Sequence, residues 1–111
     1  MREFEALTRA LELAKAVRAP LEAIARRDRS LADQVRRAVT SVPLNLAEGS
    51  RRAGRDRLHA YRVAAGSADE VLVALRVAEA LGYLGQAEAR EAMELADRVV
   101  AMVTRIVRPR A

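Results

Sequence analysis

The chain has no cysteine and no tryptophan, only three prolines and five glycines, and three aromatic residues in all: Phe4, Tyr61 and Tyr83. Without cysteine there are no disulfides, no thiol nucleophiles and no thiolate-bound zinc. His59 is the single histidine, and no Glu-x-x-His pair occurs, so imidazole metal sites and di-iron bundle chemistry are not expected. No nucleophile stands at a motif spacing from His59, which reads as an ordinary helix side chain. So few aromatics leave little for stacking on unpaired bases. No segment approaches the roughly 18 uninterrupted apolar residues of a membrane span. Met1 to Glu5 carries Glu3 and Glu5 and lacks the basic start and apolar run of a secretory signal. A cytoplasmic, non-enzymatic protein without metal or cofactor is the expectation.

What is present is a chain of 111 residues, half of them apolar, rich in Ala, Leu, Val, Arg and Glu. These residues favour helix nearly everywhere. The length suits one domain over residues 1–111. The formal charge is +5, and 19 of the 20 basic residues are Arg, with Lys15 the exception. A GC-rich genome accounts for such a bias; so does phosphate recognition, where the guanidinium fork binds bidentately.

Apolar periodicity places four helices and no strand. The first begins near Arg2 with the stripe Phe4, Leu7, Leu11, Ala14, Val17, Leu21 and Ile24. Pro20 interrupts it, so a kink or a short second piece is expected there. Ser30 reads as the N-cap of the second helix, whose stripe is Leu31, Val35, Ala38, Val39, Val42 and Leu46. Pro43 lies inside that helix, and Gly49 reads as its C′ residue. Residues 49–55 form the clearest loop. The third helix runs from about 55 to 81 with Gly66-Ser67 in its middle, a small pair that often marks a close crossing. After the turn 81–85, the fourth runs from about 86 to 107, with Pro109 as its stop. The expected fold is all-α, a single antiparallel up-down-up-down four-helix bundle.

Charge is unevenly spread. Residues 26–62 hold ten arginines and four acids, a surplus of six positive charges, while the remainder is close to neutral. Arg51, Arg52, Arg55 and Arg57 cluster around the loop after the second helix and read as a nucleic-acid-binding cap. A solvated loop whose arginines complement the helix dipole is the competing reading. A polar stripe also runs along the second helix: Arg37, Ser41, Asn45 and Glu48. Together with Gly66 and Glu70 on the third helix, it reads as a polar network or a subunit interface, with an exposed face as the alternative. In that network Arg37 approaches Glu48 through Ser41 and Asn45, and a polar group or water serves the Val39 carbonyl that Pro43 leaves without a donor.

The run from Arg36 to Gly49, Arg-Arg-Ala-Val-Thr-Ser-Val-Pro-Leu-Asn-Leu-Ala-Glu-Gly, resembles the signature of the bacterial four-helix bundle proteins encoded in 23S ribosomal RNA intervening sequences. Gly66-Ser67-x-x-Glu70 and Leu75-x-x-Ala78-x-x-Leu81-Gly82-Tyr83 are similar to that family's third helix and its exit. The likeness spans roughly residues 4–107. It departs in the first helix, where Ala19-Pro20 replaces Phe-Pro, and Arg29-Ser30 replaces Tyr-Gly. The resemblance implies an antiparallel bundle that often assembles as a homopentamer, without enzymatic activity. It also implies a likeness in fold to the accessory protein of diversity-generating retroelements, a basic pentamer that works with a reverse transcriptase and binds nucleic acid. Two functions follow as expectations: an oligomeric nucleic-acid-binding protein, or a protein-interaction scaffold with no nucleic-acid affinity.

Overall fold

The computed structural model describes residues 2–108. Five helices follow one another: α1 (Arg2–Ala16), α2 (Arg18–Arg27), α3 (Arg29–Ser50), α4 (Gly54–Ala80) and α5 (Gln86–Val107). There is no strand among the described residues, and the helices pack as a bundle about 42 Å long and half as wide. α3 lies along α4, α4 along α5, α5 along α1, and α1 along α3, so α1 and α4 stand at opposite corners. None of these helices is long and apolar enough to cross a membrane. The expected stop at Pro109 lies outside the described residues.

The interruption near Pro20 falls one turn earlier than the proline itself. Pro20 has no N–H to give the Ala16 carbonyl, and its ring crowds that carbonyl. Helix α1 therefore ends at Ala16, and Val17 (φ −82°, ψ −8°) is the joint. The ladder resumes at once, with Val17 N–H donating to the Leu13 carbonyl and Leu21 N–H to the Val17 carbonyl, 2.9 and 2.8 Å.

Two expected caps are corrected. Asp28, not Ser30, begins α3: its extended backbone breaks the chain and its carboxylate accepts the Leu31 N–H at 3.0 Å. Asp28 is hidden in a charged run of the sequence, whereas Ser30 is an exposed residue of the first turn. Gly49 is not a C′ residue either. It is buried within α3, which runs on to Ser50, and the loop shrinks to residues 51–53. The buried Tyr61 ring lies against Gly49, with its Cδ1 only 2.6 Å from where a Cβ would stand. Gly82 does terminate its helix in the way expected of a glycine. At φ +79° it lets Tyr83 N–H reach back to the Ala78 carbonyl at 2.8 Å.

Nearly half of the buried apolar residues are alanine, which lets the helices approach closely. The core falls into two clusters along the bundle. One holds Ile24, Val35, Val39, Val71 and Leu75; the other holds Val42, Leu46, Tyr61, Val99 and Val103. The stripe expected on the first helix holds at Val17 and Ile24, but its opening turns, Phe4 to Leu11, are rotated by about a third of the helix circumference. Ala6, Ala10, Leu13 and Val17 face inward, while Phe4 is 67% exposed and Leu11 50%. Three small residues and one large one fit the narrow core better than the bulkier Phe4–Leu7–Leu11 row.

Candidate nucleic-acid interface and the polar seam beside it

The loop between α3 and α4 brings four arginines to one end of the bundle, each in a different environment. Arg51 and Arg52 reach back to the two oxygens of Glu48, one turn away on α3. The hydrogen bond from Arg52, then that from Arg51, holds the Glu48 carboxyl below its ordinary value. Both guanidiniums remain largely open to solvent, so these are weak surface pairs. Arg57 is directed at the backbone: its Nε donates to the Gly49 and Arg52 carbonyls at 3.1 and 2.8 Å. It thereby ties the last turn of α3 to the loop, sharing the Gly49 carbonyl with the Arg52 N–H. Arg55 is exposed and makes no ion pair among the described residues. The four arginines expected to act alike thus separate into three outward guanidiniums and one, Arg57, that shapes the loop.

The polar stripe on α3 is only partly a network. Asn45 donates its amide to the Ser41 carbonyl and to Ser41 Oγ, both at 2.9 Å, so it serves Ser41 and not the Val39 carbonyl. Ser67 Oγ donates across the helix pair to Ser41 Oγ at 2.8 Å. Ser67, expected only as half of the small Gly66-Ser67 pair at a close crossing, is the member of α4 that enters the network, and Gly66 and Glu70 do not. In this seam Ser41 stands between Val39 and Val42, where the two core clusters meet on α3, and Ser67 stands next to Ala68, just short of the same boundary on α4. Arg37 and Glu70 are exposed and are not part of the seam, while Glu48 is occupied by the two arginines. Gly66 is exposed, and a Cβ added there would meet nothing within 4 Å.

Beside the seam, Asn45, Glu48, Arg52, Asp56 and His59 line an open groove of about 300 Å³. Among the described residues no three His, Asp or Glu side chains converge as a metal site would need, and no polar or charged residue is buried.

At the other end, Tyr83 joins the two remaining turns. Its hydroxyl donates to Asp28 Oδ2 at 3.2 Å, and the Arg27 guanidinium lies 5.6 Å from its ring centroid. Desolvation, then the bond to Asp28, raises the phenol's pKa.

The model of the family described as 23S rRNA-intervening sequence protein matches residues 2–105. The chain belongs to that family. A crystal structure of a protein of unknown function from the S23 ribosomal protein family of Bacteroides thetaiotaomicron superposes with a TM-score of 0.85. The two chains share 16% identity, with 96% of this chain and 98% of the other covered, a likeness that shows the fold. No curated protein matches the chain. In this member of the 23S rRNA-intervening sequence proteins, Asn45 bonds Ser41 along α3 and Ser67 bonds Ser41 across from α4.

Proposed function

We propose that this protein is a non-catalytic, cytoplasmic, oligomeric nucleic-acid-binding bundle whose contact surface is the α3–loop–α4 end. The observation that carries this reading is charge segregation. Residues 26–62 carry six surplus positive charges, with Arg26, Arg27 and Arg29 at the far end; at this end Arg51 and Arg52 of the loop and Arg55 in the first turn of α4 are all exposed. Guanidiniums so placed suit phosphates along a helical backbone, without base stacking. The name of the matched family, which refers to 23S rRNA, agrees with an RNA context.

The bundle is read as an antiparallel up-down-up-down arrangement in which α1 and α2 count as one kinked rod. The hydrogen bonds that Val17 makes on either side of the joint, to Leu13 and from Leu21, support that, as do the short connections at 28, 51–53 and 81–85. The assembled state expected by family likeness is a homopentamer, to be counted by light scattering.

Binding to structured RNA and duplex DNA, followed from low to moderate salt, tests the function. Affinity should fall steeply with salt, and changing Arg51, Arg52, Arg55 and Arg57 to Ser should flatten that slope by about one unit for each phosphate no longer neutralised. No binding at low salt, or an unchanged slope in the variant, would overturn the proposal. The scaffold reading, with a protein partner and no nucleic-acid affinity, is favoured by the exposed apolar residues Phe4, Leu11 and Leu44. It predicts capture of a protein partner that survives nuclease treatment.

A further inference from the structure

Two helices of this bundle carry a second apolar face that the protomer leaves bare. On α1, Ala6, Ala10, Leu13 and Val17 fill the core, yet the larger Phe4 and Leu11 lie on the opposite side. Phe4, Thr8, Leu11 and Lys15 follow one another at steps of four, three and four, a single ridge. On α4, Val63 and Glu70 stand one turn to either side of Ser67, on the shoulder that adjoins α3. Val73 (48% exposed) and Val77 continue that shoulder, and Leu44 of α3 (63% exposed) borders it across the seam. In its middle is Gly66, a helix-interior glycine with no neighbour to require it.

From this we infer that the α1 ridge of one copy seats in the α3–α4 shoulder of a second copy. The inference rests on the oligomeric part of the function proposed above and names its contact. Three features select a second copy as the occupant. The ridge protrudes with large side chains, whereas the shoulder has a hole where Gly66 lacks a Cβ. The ridge ends in the cation Lys15, and the shoulder carries the anion Glu70; both are exposed and neither has an ion-pair partner among the described residues. The two faces also stand on opposite corners, so one chain cannot close them on itself. Because the faces differ, the contact is heterologous, and it repeats as a closed ring when the rotation from copy to copy divides the full circle. A self-paired α4 contact would leave Phe4 and Leu11 bare.

Leu11→Glu disables the ridge and Val73→Glu the shoulder; both side chains are exposed, and circular dichroism should find each variant as helical as the wild type. Light scattering should find that each variant alone has lost the assembly, and that an equimolar mixture recovers particles of two chains and no larger. Lys15→Glu and Glu70→Lys give a second route: each alone weakens assembly, and the double variant restores it. If Leu11→Glu leaves the size of the wild-type assembly unchanged, or the mixture stays monomeric, the docking is wrong while oligomerisation stands. A wild-type chain that is monomeric at high concentration would sink the oligomeric reading itself.

Discussion

Two glycines show how differently one residue type is used. Gly49 is needed inside the chain, because the Tyr61 ring occupies the space of a side chain. Gly49→Ala should destabilise the protein by about 1–3 kcal/mol in urea unfolding, since overpacking outweighs the helix propensity gained. Gly66→Ala should instead stabilise the isolated protomer by about 0.5–1 kcal/mol. In sequence both glycines are visible and neither role is: Gly49, near a helix end, reads as a cap, and Gly66, in mid-helix, reads as part of a close crossing. Glu48 offers a charge test at the same scale. Its carboxyl is held low in the folded state by Arg52 and Arg51. The stability it contributes is present above the ordinary carboxylate pKa and is lost as pH falls through the lowered one. An NMR titration should place its midpoint below the peptide value of about 4.3. Arg52→Gln should move it back up.

At the scale of elements, the periodicity located α3, α4 and α5, read α1 and α2 as one element interrupted near Pro20, and α5 runs over the expected residues 86–107. The rotation of α1 is not legible in the sequence because both of its stripes are apolar; the choice between them is made by the width of the core, which is a property of the other helices. Helix starts are equally hidden where charge disguises them. Asp28→Ala removes the cap of α3 and the acceptor of Tyr83, and should cost about 1 kcal/mol for the cap alone, measured by thermal unfolding. Arg57 shows a cation spent on the backbone. Arg57→Ala should speed amide exchange across the α3–α4 loop, and any drop in nucleic-acid affinity in that variant would be accompanied by loop loosening. Arg55→Ala should reduce affinity, as read in low-salt binding, without altering exchange. Comparing the two separates a phosphate-binding side chain from a loop-shaping one, a distinction that four nearby arginines in a sequence do not reveal.

For the whole molecule, fold class and family are readable early, because the Pro43-to-Gly49 signature and the helical composition are local. The site is readable only as a set of residue types. Asn45 meets Ser41 by helical spacing within α3, but Ser67 joins them only because α3 and α4 pack in a particular register, and Arg37 and Glu70 miss because they lie on the outer side of that same packing. The distribution of tyrosine has a practical consequence of its own. The chain has no tryptophan to mask tyrosine emission, and its two tyrosines report on opposite ends. Tyr61 is sealed in the core beside the arginine loop, and Tyr83 bridges the far turns, roughly 30 Å away along α4. Tyr83→Phe leaves one fluorophore beside the candidate interface, and Tyr61→Phe leaves one at the distant latch. The protein thus carries a built-in pair of optical gauges, one for each end, with no dye attached.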